Sequence, residues 1–531
     1  DPAGGRRERS RILVTPVPRE RRRSRPFTFR FMETQKIAFG ALNYVTLGAY
    51  LLATLVMGVW FSRRTKSTGD YFRAGGRIPW WVMGISISNV SSISYMSIPA
   101  KAYAENWVVF WVNVPILLLA PVVVYLLLPV FNRLQSASAY AYLEARFGLA
   151  ARLYGATAFV LFQIGRMALV IYLPALALAA VTDLNLIVCI FVIGALSAIY
   201  SALGGIEGVI WTDFAQTVFL LGAAVLSFVL VVMRLDGGLG TLVDVASANN
   251  KFHMINWSGD YTTNALWVVL IGSMFTQLVP YISDQSIIQR YQTTTDLAAT
   301  RRAMWINAGL AMVNTLVFLG VGTAIYVYYQ FNAKGLAGLP GTDAILPFFI
   351  AHELPAGVAG LVVAGIFAAA QSAISTSLSA TSTVLVTDFL QRLGPKRSDA
   401  HWLRVAQLLT GALGVLAVGL ACLLAVTTVD SAFDLFQRIL GLTASGLGGL
   451  FILGIFTRRT TAFGAMTGAV LSALVLYLLQ NHTRVHVYLY ALVGITVCVI
   501  IGYSVSLLFP SRRILPPGLT VHQPSPAEPA S

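Results

Sequence analysis

About thirteen apolar stretches of roughly 20 residues follow one another along this 531-residue chain, with short connections between them. A helix needs about 20 apolar residues to cross the roughly 30 Å of hydrocarbon in a bilayer. Lipid offers no partner to backbone polar groups, which favours helices over other spanning structures. The stretches lie near residues 41–61, 80–103, 107–131, 153–181, 186–203, 209–233, 265–284, 303–330, 357–386, 402–427, 438–456, 462–480 and 487–509. The sequence therefore predicts an all-α polytopic membrane protein with about 13 transmembrane helices in a lipid bilayer.

The composition agrees with this class and excludes others. Charged residues make up 11% of the chain and its mean hydropathy is +0.72, whereas soluble proteins are about 25% charged. The connections are too short for a soluble catalytic or signalling domain. Cys189, Cys422 and Cys498 all lie in apolar stretches, so neither a disulfide framework nor a metal-ligand spacing is present.

The first 31 residues differ in composition from the rest, with ten arginines against three acidic residues. Tails of this kind are typical of segments that bind anionic lipid or nucleic acid. Met32-Glu33-Thr34-Gln35 reads as an ordinary start of a chain, however, and we interpret residues 1–31 as non-native sequence upstream of it. We therefore predict no nucleic-acid partner.

The positive charges of the loops indicate an orientation. Cytoplasmic loops of membrane proteins are enriched in Lys and Arg. The first loop, alternate loops after it and the C-terminal tail together hold nineteen Lys and Arg residues, and the opposite loops hold six. We expect a multi-pass inner-membrane protein whose N-terminus lies outside the cell and whose C-terminus is cytoplasmic.

The second apolar stretch is unusually polar at membrane depth. Six of the eleven residues from Gly84 to Ser94 are Ser or Asn. Non-helical backbone survives at that depth only where it lines a cavity, and interrupted helices form the binding sites of many secondary transporters. The alternative is a helix whose serines bond to its own backbone or to a neighbouring helix.

A second polar cluster lies in the stretch 357–386. Ser372, Ser375, Thr376 and Ser379 follow the spacing i, i+3, i+4, i+7 and share one helix face. A stripe of neutral hydroxyls suits a desolvated Na⁺, a hard cation that prefers oxygen ligands. A polar seam between two helices is the other interpretation.

Two charged residues also stand out. Arg166 lies at the centre of the stretch 153–181, where a charge costs several kcal/mol unless it has a partner or a wet cavity. An anionic substrate or an acid on another helix satisfies that condition, and the guanidinium matches a carboxylate. Asp213 lies about one turn into the stretch 209–233. Its carboxylate is either a cation ligand or a cap at the membrane interface.

Seven strings of the sequence together resemble the solute:sodium symporter family, and most closely its bacterial sialic acid symporters. They occur in order over most of residues 41–460. They are Asp70-Tyr-Phe-Arg-Ala-Gly-Gly-Arg77, Met96-Ser-Ile-Pro-Ala-Lys-Ala-Tyr103, Ser138-Ala-Tyr-Ala-Tyr-Leu-Glu-Ala-Arg-Phe147, Ile164-Gly-Arg166, Gly204-Gly-Ile-Glu-Gly-Val-Ile-Trp-Thr-Asp213, Ile287-Ile-Gln-Arg-Tyr291 and Phe367-Ala-Ala-Ala-Gln-Ser372.

The resemblance implies a LeuT-like core of two inverted five-helix repeats, with one extra helix before it and two after. The first and sixth core helices are expected to be interrupted, and Pro280 fits the second interruption because proline removes a helix hydrogen bond. The expected segments are an N-terminal tail 1–36, an extra helix and loop 37–79, repeats 80–233 and 265–456 separated by an extracellular loop 234–264, extra helices 457–509 and a C-terminal tail 510–531.

The resemblance also implies two sodium sites. On the eighth core helix, the family's conserved site maps to the Ala369 carbonyl, to Ser372 and to the position of Ala373. On the broken first helix, it maps to carbonyls near Ile87 and Val90. Ala373 stands where the family usually has a second serine, so one hydroxyl ligand is absent. A further sodium site of the sialic acid branch maps to Ser375, Thr376 and Asp213.

For the substrate, Arg166 matches the carboxylate-binding arginine of the sialic acid symporters. The resemblance assigns Asn89, Ser91 and Ser94 of the broken helix to the same site, together with Asn113, which replaces a glutamine of those relatives.

The expected function is import of a small anionic sugar acid, most simply sialic acid (N-acetylneuraminate), coupled to Na⁺ without an organic cofactor. The alternatives are a symporter of the same fold for a monocarboxylate, a sugar or an amino acid, and an uncoupled facilitator with a degenerate sodium site. An enzyme is not expected, because the sequence contains no HExxH motif and no Ser–Lys or paired-Asp set at membrane depth.

Overall fold

A computed structural model describes most of the chain, including nearly all the predicted membrane segments. The described residues are 38–88, 92–134, 136–294, 296–332, 336, 342–427, 432–510 and 518–521. The predicted N-terminal tail 1–36 and the predicted site residues Asn89, Val90 and Ser91 lie outside them.

The described residues form α-helices joined by turns, short 3₁₀ and π segments, and no β-strand. The first ten helices are α1 Ala41–Ser62, α2 Thr68–Arg73, α3 Trp80–Ile87, α4 Ser92–Ala104, α5 Val114–Val122, α6 Leu128–Leu134, α7 Tyr140–Phe147, α8 Leu149–Val181, α9 Leu186–Met233 and α10 Gly238–Ala248. The others are α11 Leu266–Ser283, α12 Gln285–Tyr291, α13 Leu297–Phe331, α14 Ile345–Glu353, α15 Val358–Val384, α16 Gln391–Leu393, α17 Asp399–Val426, α18 Ala432–Phe456, α19 Ala462–His482 and α20 Leu489–Leu508.

Ten helices within the described residues are long and apolar enough to span a membrane. One of them, α9, is two helices, because Gly205 has a non-helical backbone with φ 56° and ψ −159°. That positive φ suits glycine, which has no Cβ to clash. The broken pair α3–α4 and α18 are not among the ten. The all-α membrane fold is confirmed, and the count of about 13 stays a prediction.

The break in the second apolar stretch is confirmed. Helix α3 ends at Ile87 and α4 begins at Ser92. Both halves pack closely on α13. At two glycines of these contacts, the neighbouring backbone leaves no room for a side chain. A Cβ on Gly84 would lie 2.6 Å from the Ala303 carbonyl oxygen, and a Cβ on Gly322 would lie 2.2 Å from that of Pro99.

The predicted position of the second break is wrong by four residues. Helix α11 continues through Pro280 to Ser283, and the chain leaves helical geometry at Asp284, with φ −84° and ψ 115°. The side chain of Asp284 accepts a hydrogen bond from the Ser286 backbone N–H and so caps α12. A proline removes a single hydrogen bond within the helix, which here leaves α11 intact, and the new cap sets the break.

Helix α15 lies at the centre of the molecule and is buried on all sides. It packs against α1, α8 and α9, which approach closely because its residues are largely Ala, Gly, Ser and Thr. The Tyr50 hydroxyl of α1 donates to Gln371 Oε1 at 2.8 Å, and the Tyr200 hydroxyl of α9 donates to the Gln371 carbonyl at 3.0 Å. This packing holds the hydroxyl stripe of α15 inside the protein.

Candidate functional site

A cavity of about 370 Å³ lies beside the break between α3 and α4. Its walls come from both halves of that broken helix and from α5, α8, α11, α12, α13, α15 and α18, with residues near the start of α20. This volume falls within the range of small-molecule sites, about 300 to 1,000 Å³. The cavity is where a solute with roughly the size of a monosaccharide fits.

Arg166 reaches this cavity from the middle of α8. Among the described residues, no Asp or Glu forms an ion pair with it. Asp284 lines the same cavity, but its carboxylate accepts the backbone N–H of Ser286. The internal ion pair considered for Arg166 is therefore absent from the described residues, and the cavity presents a guanidinium that an anion can bind.

Amide and hydroxyl groups line another part of the cavity wall. Asn113 donates to Thr315 Oγ1 at 2.9 Å and accepts from Gln277 Nε2 at 3.1 Å. Nearby, Asn314 Nδ2 lies 3.3 Å from Ser88 Oγ, at the end of α3. Such groups bind the hydroxyl and amide groups of a polar solute and orient it.

A second polar centre surrounds Asp213, whose side chain is fully buried. Its Oδ1 accepts from Ser372 Oγ at 2.8 Å and from Ser375 Oγ at 3.4 Å. Its Oδ2 accepts from Thr376 Oγ1 and from Ser86 Oγ, each at 3.1 Å. Asp213 is thus no interfacial cap, since α3, α9 and α15 meet at its carboxylate.

Arg290 of α12 forms an ion pair with this carboxylate, with Nη2 at 2.6 Å from Asp213 Oδ2. The same nitrogen lies 2.7 Å from Thr376 Oγ1, and Nε donates to Ser86 Oγ at 2.9 Å. Nη1 donates to the Ser286 carbonyl. Arg290 is itself 1% exposed, so this is a buried pair within a hydrogen-bond network.

The structure brings the predicted residues together in two groups. Arg166, Ser94, Asn113, Ile87 and Thr376 line the cavity.

The hydroxyls of Ser372, Ser375 and Thr376 all bond to Asp213. Ser372 was assigned to the conserved sodium site, but here it contacts a residue of the second predicted sodium site. Ala369 and Ala373 are buried in α15, and the Ala373 carbonyl accepts from Ser377 Oγ at 2.9 Å.

Sequence reasoning did not assign several residues of these two groups to a site, among them Ser86, Gln277, Arg290 and Thr315. A signal existed for Gln277 and Thr315, because each is a polar residue within an apolar stretch. Ser86 belonged to the recognised polar cluster without a role. Arg290 was counted among the loop cations that indicate orientation, so its role in a site was not recognised.

Comparison with known proteins agrees with this geometry. Residues 71–472 match the model of the sodium:solute symporter family. The chain is 39% identical to the sodium/sialic acid symporter NanT of Aliivibrio fischeri, covering 90% of this chain and 95% of that one. It is 37% identical to the sodium/sialic acid symporter SiaT of Proteus mirabilis, covering 90% and 97%.

Solved transporter structures share the fold of this chain. The chain is similar to a Na⁺-coupled sialic acid symporter in a substrate-bound outward-open state that reveals a novel Na⁺ site, with a TM-score of 0.85, 37% identity, and coverage of 90% of this chain and all of that one. The nucleobase-cation-symport-1 transporter Mhp1, at 14% identity and a TM-score of 0.55, shares the fold. The chain belongs to the sodium:solute symporter family.

Proposed function

We propose that this protein is a sodium-coupled symporter that imports a sugar acid of the sialic acid class. The observation that carries the proposal is the Arg166 guanidinium, which faces the cavity and forms no ion pair among the described residues. A sugar acid presents one carboxylate for this fork and several hydroxyls for the amides of Asn113 and Gln277.

The ion binds beside the substrate in this proposal. One sodium ion takes Asp213, Ser375 and Thr376 as ligands, with Ser372 at its edge. A second takes the carbonyls of Ala369, Ile87 and Val90 with the Ser372 hydroxyl, while Ala373 supplies no side-chain ligand. Carboxylate, hydroxyl and carbonyl oxygens are the donors that hard cations prefer, and Asp213 supplies the negative charge.

Coupling follows from the position of the two centres on shared elements. Helix α3 ends at the cavity and contributes Ser86 to the Asp213 centre. Helix α15 contributes Thr376 to both. If sodium tightens substrate binding, substrate must tighten sodium binding by the same factor. A gradient drives the cycle, because moving one charge inward is worth about 2.3 kcal/mol per 100 mV.

We also propose that the loop between α1 and α2 and the C-terminus face the cytoplasm. The support is the distribution of loop cations, nineteen on that side against six on the other. Inward transport then means movement toward the Arg-rich face.

A binding experiment tests the proposed substrate directly. Purified protein is titrated by calorimetry with N-acetylneuraminate in sodium chloride and in choline chloride, and with N-acetylmannosamine, which lacks the carboxylate. We expect binding of the acid in sodium, binding at least about tenfold weaker in choline, since allosteric couplings span about 5- to 150-fold, and no binding of the neutral sugar. Equal binding of both sugars would contradict the role given to Arg166.

A further inference from the structure

The ion pair between Arg290 and Asp213 conflicts with the proposed sodium ligands. Arg290 Nη2 contacts both Asp213 Oδ2 and Thr376 Oγ1, at 2.6 and 2.7 Å. Those two groups are also proposed ligands of the second sodium ion. Asp213 Oδ2 already accepts hydrogen bonds from Arg290, Thr376 and Ser86, so this oxygen has no free lone pair for Na⁺ while the guanidinium stays in place.

We propose that Arg290 is the internal counter-cation of this sodium site: its guanidinium holds the Asp213 carboxylate when sodium is absent and is displaced when sodium binds. The inference rests on the proposed sodium-coupled function. It assigns a specificity-determining role to a residue that the ligand set of the site does not include.

Burial explains why such a counter-cation is needed. Asp213 and Arg290 are each 1% exposed, and an ionised carboxylate left alone at that depth carries a large desolvation penalty. A site that binds and releases sodium must spend part of its cycle without the ion. Arg290 keeps the carboxylate neutralised in that part of the cycle, and so keeps α9, α12 and α15 together.

The two oxygens of Asp213 indicate how the exchange begins. Ser372 and Ser375 bond to Oδ1, whereas Arg290, Thr376 and Ser86 bond at Oδ2. An entering ion therefore meets a carboxylate oxygen and two hydroxyls on the side away from the guanidinium. Its charge then repels Arg290, and the Oδ2 side opens to it.

The cavity supplies the place to which Arg290 is released. Arg290 and Arg166 line the same cavity, together with Asp284 at the break before α12. Displacement of the guanidinium from Asp213 moves a positive charge toward this space, where an anionic substrate neutralises it. Sodium binding at Asp213 thus strengthens the positive potential of the substrate site, and the linkage between ion and substrate is electrostatic.

The test compares Arg290→Gln with Arg302→Gln, a matched control at an exposed arginine. Equilibrium binding of ²²Na⁺ is measured without substrate, and N-acetylneuraminate affinity is measured at low and saturating sodium. We expect Arg290→Gln to raise the sodium affinity about tenfold, because a competing charge is gone. The factor by which sodium tightens substrate binding should fall toward one, and thermal stability should become strongly dependent on sodium.

A second variant guards against simple misfolding. Arg290→Lys keeps a positive charge but loses the planar fork, so it should show a smaller gain in sodium affinity in the same direction. Unchanged or weaker sodium binding in both variants, beside a normal control, would overturn the counter-cation role. Failure of the wild type and the control to bind N-acetylneuraminate in sodium would count against the proposed function instead.

Discussion

Three charged side chains at the two polar centres carry the functional argument at the scale of single residues. Asp213 and Arg290 neutralise one another in a buried pair, whereas Arg166 faces the cavity and forms no ion pair in the described part of the chain. The centre around Asp213 therefore has no net charge, and Arg166 and Asp284 bring one charge of each sign to the cavity beside it. An anion and a cation that enter together preserve this balance.

Replacement of Arg166 should remove the carboxylate contact and little else. Hydrogen bonds to charged groups contribute about 1.5 to 3 kcal/mol, so Arg166→Met should weaken N-acetylneuraminate binding by roughly 10- to 150-fold. Arg166→Lys keeps the charge without the bidentate geometry and should fall between. Calorimetry measures both, and sodium binding without substrate serves as the control for folding. Wild-type affinity in Arg166→Met would exclude this residue from the site.

Asn113 should affect the sugar and not the ion. Its side chain bonds to Thr315 and Gln277 on the cavity wall, away from the Asp213 ligands. Asn113→Ala should lower substrate affinity about fivefold, as expected for the loss of about 1 kcal/mol per neutral hydrogen bond. Sodium affinity without substrate should stay as in the wild type, and Asn249→Ala, at an exposed loop position, is the control. A changed sodium affinity would place Asn113 in the ion site.

The sequence allowed some of these residues to be predicted and not others. Arg166 is conspicuous because a lone charge amid apolar residues demands an explanation. Arg290 follows a helix break that the sequence placed four residues too early, so it was assigned to a loop. Its partner Asp213 is 77 residues away along the chain, and no local pattern connects the two.

At the scale of secondary structure, the broken helix α3–α4 is the element that shapes the cavity. Its serine and asparagine content made the interruption predictable, since that composition is unusual at membrane depth. The interruption after α11 was less predictable, because a proline disturbs its helix without ending it. The N-cap formed by Asp284 sets the position of this interruption. The sequence alone does not identify the cap, because an aspartate near a helix end has several possible roles.

Close packing of α13 on α4, the second half of the broken helix, gives a sharp test. A Cβ on Gly322 would lie 2.2 Å from the Pro99 carbonyl oxygen, so Gly322→Ala should force the helices apart and cost about 1 to 3 kcal/mol. Gly309→Ala, on the same helix with no atom within 4 Å, is the matched control. Thermal unfolding in detergent should show a lower melting temperature for the first variant alone. Equal melting temperatures would contradict this contact.

Helix α7 is tied to its neighbours by an ionic cluster with a definite pH dependence. Glu144 forms ion pairs with Arg392 and Arg152, both at 2.7 Å. The hydrogen bond from Arg392 lowers the pKa of Glu144 most, burial opposes it, Arg152 lowers it further, and the result is about 2. A depressed folded-state pKa stabilises the protein above the ordinary value of 4.5, and that stabilisation is lost as the pH falls toward about 2.

Glu144→Gln should therefore melt at a lower temperature than the wild type at pH 7. The difference should shrink as the pH is lowered from about 4.5 toward 2, because the wild-type carboxylate becomes protonated in the unfolded chain and then in the folded one. Melting curves across this range check the prediction. A difference that is independent of pH would show that the ionic cluster is not its cause.

For the whole molecule, composition and the length of the apolar stretches were sufficient to predict the membrane fold. The architecture is confirmed by the similarity to the solved sialic acid symporter, at a TM-score of 0.85. The LeuT-like core is confirmed with it, whereas the limits of the two repeats and the helix count stay predictions. The apolar pattern divided α9 correctly into the stretches 186–203 and 209–233, on either side of Gly205, but it does not report the positive φ that turns the chain at this glycine.

Orientation is also a property of the whole molecule. In a background in which the three native cysteines are replaced, Gly259→Cys and Ser398→Cys place probes in loops assigned to opposite faces; both positions are exposed. A membrane-impermeant maleimide added to intact cells should label Gly259→Cys at once and Ser398→Cys only after lysis. The reverse pattern would invert the predicted topology and with it the direction of inward transport.

Sodium-coupled import of a sugar acid can be measured as uptake into proteoliposomes. Radiolabelled N-acetylneuraminate is supplied outside, with an inward Na⁺ gradient or with equal choline, to wild-type protein, Arg166→Ala and the surface control Arg302→Gln. We expect accumulation above the external concentration. This accumulation should require the gradient, be abolished in Arg166→Ala and persist in Arg302→Gln. Uptake that only equilibrates and does not need sodium would contradict sodium coupling. An absence of uptake by folded wild-type protein under any gradient would contradict the proposed substrate.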